Sequence, residues 1–225
     1  MVTQHNSHSQ AELETIYSRR FDSDEEYRNQ VWRTLIHDWF QAYVPPASTV
    51  LDLGCGYGQF INHVTCAKKY AMDLNPASRA RLQPQVEFLE QDCATTWNLP
   101  DGCLDVVFTS NFFEHLLSKA DLARTISEAV RCLKKGGRII AMGPNIKLVS
   151  GAYWDFFDHH LPLTELSLRE AFEIAGLTTD DARERFLPYT MVNAPKYPIA
   201  LLRIYLRFPL LWKWFGRQFL VIAVK

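Results

Sequence analysis

Apolar positions recur along this chain in two rhythms. From Asp24 to about Tyr43, Val31, Trp32, Leu35, Ile36, Trp39 and Phe40 return at spacings of three and four, which predicts a helix; Val-Pro-Pro at 44–46 stops it. Short apolar runs then follow at regular intervals: TVLDL (49–53), KYAMD (69–73), VEFL (86–89), LDVVFTS (104–110) and GRIIAMG (137–143). Runs of this length, rich in Val and Ile, predict strands. Helical spacing returns between several of them, at 57–66, 118–134 and 163–175. Strands alternating with helices imply βαβ units, and so an α/β fold with a parallel sheet covered on both faces. Two further strands are expected, around 184–190 and at QFLVIAV (218–224), joined by PKYPIALLRIYLRFPLLWKWFG. Pro209 should divide that joining stretch into two short helices, because proline suits a first helical turn and breaks an interior.

Length and charge narrow the classes. The 225 residues suit one domain, expected over 24–225 with a helical insertion at about 192–217, preceded by a flexible segment at 1–23. A formal net charge of −1 argues against a nucleic-acid partner, which calls for a strongly basic surface. The charge is uneven, however: from Arg183 to Lys225 there are eight Lys or Arg and one acid, Glu184. Five cysteines with no C-x-x-C pair fit reduced thiols better than a disulfide framework or a zinc site. The polar N-terminus shows no signal-peptide pattern, and no run reaches the ~18 uncharged apolar residues of a membrane span. The expectation is a cytoplasmic protein, with contact at the inner face of the membrane as an open alternative.

The stretch VLDLGCGYG (50–58) carries the chemistry. Glycines at the end of a buried strand let the backbone approach a ligand, and in an open parallel sheet ligands sit beyond the carboxyl ends of the strands. A dinucleotide fingerprint would read G-x-G-x-x-G, but Gln59 stands where the third glycine belongs. Asp52 would also place a negative charge beside a pyrophosphate. A cationic ligand suits this turn better.

The motif set resembles that of the class I S-adenosylmethionine-dependent methyltransferases, of the methyltransferase type 11 kind. Asp52-Leu53-Gly54-Cys55-Gly56 matches their acidic-x-Gly-x-Gly motif, and Asp73 in YAMDLNP matches the acid that chelates the ribose hydroxyls. Asp92 and Cys93 in EQDC match the segment that meets the adenine, SNFFEHL the segment after strand four, and RCLKKGGRIIAMG the approach to strand five. The resemblance implies a Rossmann-like, doubly wound, mostly parallel seven-stranded sheet. It should end in an antiparallel hairpin, with the helical insertion before the last strand. It implies S-adenosyl-L-methionine as cofactor, held by Asp52, Gly54, Cys55, Gly56, Asp73, Leu74, Asp92, Cys93 and Asn111. It also implies transfer of a methyl group to a small-molecule, glycan or lipid-precursor acceptor. A catalytically idle module that binds the cofactor is the alternative from another class.

An oxygen acceptor needs a base, and histidine titrates near neutral pH. The candidates are His159 and His160 in FFDHHL, of which neighbours in one chain can send only one into a given pocket, and His115 in FFEHL. Tyr153, Trp154, Asp155, Phe156, Phe157 and Asp158 lie beside the histidine pair and could line the acceptor site or form a lid. Some ubiquinone-pathway relatives carry Glu-x-x-Glu-His and use a divalent ion. Here Asn111 replaces the first carboxylate, so no metal is expected. Tyr17, Arg20 and Phe21 could fold over the cofactor. The insertion, at 197–217, combines aromatic and aliphatic residues with Arg203, Arg207, Lys213 and Arg217. An acceptor lid, a homodimer contact or peripheral contact with an anionic membrane, suited to a lipid-linked acceptor, would each bury its apolar surface.

Overall fold

The computed structural model describes residues 25–189 and 196–225. The segment expected to be flexible, 1–23, and with it Tyr17, Arg20 and Phe21, lies outside the described residues. The described chain forms seven strands: β1 (Thr49–Leu53), β2 (Lys68–Asp73), β3 (Val86–Glu90), β4 (Leu104–Ser110), β5 (Leu133–Pro144), β6 (Thr178–Arg183) and β7 (Gln218–Val224). They make one sheet in the order β3-β2-β1-β4-β5-β7-β6. Neighbours among β1 to β5 run parallel, and β7 runs antiparallel to both β5 and β6. The expected α/β doubly wound sheet with a closing antiparallel hairpin is therefore what this sequence adopts.

The strand order reverses between β1 and β4, so the carboxyl end of β1 is the switch point where such sheets bind ligands. Burial follows the alternation of side chains along each strand. Leu51, Leu53 and Val107 join the core under helix α3 (Lys119–Cys132) and helix α4 (Glu165–Ile174), whereas Val50, Val106 and Phe108 join the core on the other face. That second face is covered by α1 (Glu25–Asp38), the short α2 (Gln59–His63) and the insertion helices. Phe108 is its centre, stacked on Phe60 at 3.6 Å between ring centres and edge-on to Phe40. α3 begins where Ser118 Oγ accepts the Asp121 N–H, and α4 where Thr164 and Ser167 cap each other reciprocally.

One strand is not where apolarity alone puts it. The expectation was 184–190; β6 is the earlier and more polar Thr178–Arg183. It is an edge strand hydrogen-bonded only to β7, so its alternate residues face water and polar side chains are tolerated. Phe186 and Leu187, which suggested the strand, are buried instead in the turn that follows, where the Phe186 N–H donates to the Gln218 carbonyl and the ring packs on Trp39 and Trp212. The insertion divides at Pro209 into α5 (Ile199–Arg207) and α6 (Pro209–Phe215), as the proline predicts. No helix among the described residues is long and apolar enough to cross a membrane.

Candidate functional site

The turn after β1 is held against β2, because the N–H groups of Gly54 and Cys55 both donate to the Met72 carbonyl, at 2.9 and 3.1 Å. Gly54 and Gly56 have φ of +68° and +53°, a region that side chains with a Cβ resist. Their surroundings differ. A Cβ on Gly54 would fall 2.2 Å from the ring of Phe112, so this glycine admits a neighbour of the protein itself. A Cβ on Gly56 would meet nothing within 4 Å, so this glycine borders open space.

Asp73 stands beside the Gly56 backbone. Its Oδ2 accepts the Gly56 N–H at 2.9 Å and its Oδ1 the Asn75 N–H at 2.9 Å, which fixes the carboxylate at the end of β2. Leu74 follows it, partly exposed. Gln91 N–H donates to the Asp73 carbonyl and so brings the next loop alongside. There Asp92 accepts the Ala94 N–H at 2.8 Å and shapes a turn. The Cys93 thiol points away into the core, 3.4 Å from Thr125 Oγ1, and burial pushes its pKa up to about 12. The Cys55 thiol is likewise buried and raised well above the ordinary range.

Asp52 lies beneath the glycine turn, almost fully buried, with Oδ2 3.3 Å from the Ile61 N–H. Burial raises its pKa to about 8, the single backbone hydrogen bond opposes that, and the charge of Asp73 adds to it. The Asp73 carboxylate beside an open cradle favours a ligand carrying positive charge, and a cation bound there would draw the proton off Asp52. An adenosyl sulfonium fits these residues: Asp73 for its hydroxyl groups, and the Gly54–Gly56 backbone with Asp52 behind it for its cationic end. Asn111, the last residue of the expected cofactor set, has φ +49°, the only non-glycine residue described with positive φ. Its N–H donates to the Met142 carbonyl and its side chain reaches Ser110.

The loop that starts at Asn111 links this cradle to a second cluster. Phe112 packs against Gly54, and the short 3-10 helix Phe113–His115 follows directly. His115 Nδ1 lies 3.1 Å from Asp158 Oδ2 and 3.0 Å from the Asp158 carbonyl. The two segments are fastened by the backbone as well, since the N–H groups of His160 and Leu161 both donate to the Glu114 carbonyl. His159 is buried, with its ring 4.9 Å from that of His115, stacked on Phe156 and 4.6 Å from the ring of Tyr153. The Tyr153 hydroxyl is buried and meets no hydrogen-bond partner among the described residues, and burial raises its pKa.

Of the expected bases, His115 and His159 therefore share one site, and the His160 side chain is exposed. Burial lowers the His115 pKa, but hydrogen bonding to Asp158 and the charges of Glu114 and Asp158 outweigh it, so the net shift is upward. The sequence offers Asp158 as one polar residue among several. Its pairing with His115 had no signal in the spacing, because 43 residues separate them. Glu114, His115 and His159 also bring one donor atom each within 4.8 Å of one another, a set of the kind that holds a divalent cation. This group stands beside the sequence expectation of no metal.

Comparison with known proteins agrees with the fold. Residues 51–141 match a family model described as a methyltransferase domain. An uncharacterised protein of Methanocaldococcus jannaschii is 30% identical over 162 residues, 69% of this chain and 65% of its own length. An uncharacterised 37.1 kDa transposon protein of Streptomyces fradiae is 30% identical over 138 residues, 54% of this chain and 35% of its own. The chain thus spans less than two thirds of the length of each of these relatives. Among solved structures, an S-adenosylmethionine-dependent methyltransferase of Archaeoglobus fulgidus superposes with a TM-score of 0.67 at 19% identity, covering 94% of this chain and 99% of that one. Another, from Mesorhizobium loti, gives 0.60 at 18% identity, covering 82% and 94%.

Proposed function

We propose that this chain, which carries a methyltransferase domain in the class I S-adenosylmethionine-dependent fold, transfers a methyl group to a hydroxyl of a small-molecule, glycan or lipid-precursor acceptor. The observation that carries the reading is the joining of two sites by one loop: Phe112 seats on the cofactor turn at Gly54, and His115 follows on the same loop, held by Asp158.

The cofactor, when bound, supplies an electrophilic methyl group on a sulfonium. Asp73 and the open backbone at Gly56 bind and orient it, with Asp73 already held by two N–H donors so that little ordering remains for binding to accomplish. His115 donates its Nδ1–H to Asp158, which leaves the lone pair of the neutral ring on Nε2. From that atom it would take the proton of the acceptor hydroxyl. Asp158 is a positioning residue that holds the ring and stabilises the imidazolium formed. His159, Phe156 and Tyr153 wall the ring and limit water around the reacting oxygen.

The test is product formation. The protein is incubated with S-adenosylmethionine and a panel of hydroxyl-bearing small molecules, glycans and polyprenyl or glycolipid precursors, and S-adenosylhomocysteine is followed by mass spectrometry. Acceptor-dependent release supports the reading. Tight cofactor binding with no release from any acceptor supports an idle binding module instead.

A further inference from the structure

α5 and α6 are apolar on two faces. The inner face is accounted for: Tyr205, Leu206 and Trp212 are buried in the core over the sheet, and the Arg183 guanidinium lies over the edge-to-face pair of Trp39 and Trp212, about 5 Å from each ring. The Tyr205 hydroxyl donates to the Phe186 carbonyl and Trp212 Nε1–H to the Tyr205 carbonyl, so the helix pair is firmly seated. Among the described residues nothing covers the outer face. Leu201, Ile204, Phe208, Leu210, Trp214 and Phe215 are all exposed, between 48 and 75%. Leu201, Ile204 and Phe208 fall at i, i+3 and i+7, one continuous stripe along α5 and its end.

Charge and position say what covers that face. Arg203, Arg207 and Lys213 are exposed around the stripe, and no acidic residue occurs anywhere after Glu184. Arg203 reaches Asp38 at 3.6 Å, and neither Arg207 nor Lys213 makes an ion pair among the described residues. The insertion also leaves and rejoins the sheet at one particular edge. β6 ends with Arg183 opposite Leu220, and β7 begins with Gln218 opposite Pro144, the last residue of β5. That is the carboxyl edge of the parallel strands, where the glycine cradle and the His115 cluster also lie.

We infer that α5 and α6 dock on an anionic lipid bilayer, with Leu210, Trp214 and Phe215 in the interface and Arg207 and Lys213 against lipid phosphates. The molecule then stands with its reaction edge toward the membrane, so an acceptor anchored in lipid reaches the site without leaving the bilayer. A second copy of the chain is the poorer occupant, because a two-fold contact would set the arginines and lysine of one copy against those of the other.

The inference is independent of methyl transfer, so its test is separate. The full chain is floated with phosphatidylcholine vesicles containing phosphatidylglycerol, and with phosphatidylcholine alone, at low and high salt. It should partition onto the anionic vesicles at least tenfold better than onto the neutral ones, and high salt should release it. Leu210→Ser with Trp214→Ser should reduce binding at least tenfold; Arg207→Gln with Lys213→Gln should do so at low salt with all apolar groups intact. Both variants should keep the parent's circular dichroism spectrum and a cooperative thermal melt, showing that they fold. No flotation with anionic vesicles overturns the inference. So does a stable dimer in sedimentation that Leu210→Ser with Trp214→Ser dissociates, which assigns the face to a second copy.

Discussion

His115 Nδ1 and Asp158 Oδ2 stand 3.1 Å apart, although they come from loops after different strands. This pair raises the histidine pKa above its ordinary value against the effect of burial. A base works only when deprotonated, so turnover should rise with pH through a limb above ~6.5. Asp158→Asn should move that limb to lower pH and lower kcat more than it changes the KM for cofactor. The raised pKa also means that the ion pair's contribution to stability is full below ~6.5 and is lost as pH rises through the folded-state pKa. Asp158→Asn should thus cost more stability at pH 6 than at pH 9. Unchanged pH–rate profiles in Asp158→Asn would remove His115 from the mechanism.

Gly54 and Gly56 should respond differently to alanine. Gly54→Ala drives a Cβ into the Phe112 ring and strains the backbone, so both folding and cofactor binding should suffer. Gly56→Ala meets no protein atom, so its cost should be limited to backbone strain of ~1–2 kcal/mol. Its methyl group would nevertheless occupy the cradle, and calorimetry should show affinity for S-adenosylmethionine reduced at least tenfold. If Gly56→Ala binds normally, the open space there is not the cofactor site.

Asp73 offers a third test. Asp73→Ala removes the acceptor for the Gly56 and Asn75 N–H groups; the Asn75 donor is buried, and leaving it unpaired costs ~1–3 kcal/mol. Cofactor affinity should fall by roughly tenfold or more. Asp73→Asn keeps one acceptor oxygen and should fold better than Asp73→Ala while still losing affinity. Circular dichroism separates the two losses.

Asp52 should make the free protein less stable in base. Burial raises its folded pKa to about 8 from an unfolded value near ~3.9. A raised pKa contributes stability that is present below ~3.9 and lost as pH climbs through about 8, because the unfolded chain releases the proton first. Asp52→Asn abolishes that titration and can still accept the Ile61 N–H. Thermal melts from pH 6 to pH 9 should show the variant gaining on the parent as pH rises. Parallel curves would mean that Asp52 is ionised throughout.

Much of the molecule was legible along the chain because its determinants are local. Strands β1 and β4 and the last strand have the expected limits, since a strand buried on both faces is a short unbroken apolar run with turn residues at each end. Pro209 marks the helix boundary in the insertion through its own ring geometry. β6 was misplaced because an edge strand is defined by its partner β7 and needs no apolar pattern of its own. Phe186 and Leu187 misled for the complementary reason, as burial in a turn looks the same in sequence as burial in a strand.

By itself the sequence determined the parallel sheet, the glycine turn after β1 and the acid at the end of β2, because hydrophobic period, backbone freedom and charge are properties of neighbouring residues. Only the tertiary structure decided which glycine borders open space, that the Asp52 carboxyl is buried, that His115 and His159 share a site from which His160 is turned out, and that the insertion rises from the carboxyl edge of the sheet. Those facts depend on which distant segments the fold brings within a few ångströms, and hydrogen bonds, desolvation and exposure arise only at that range.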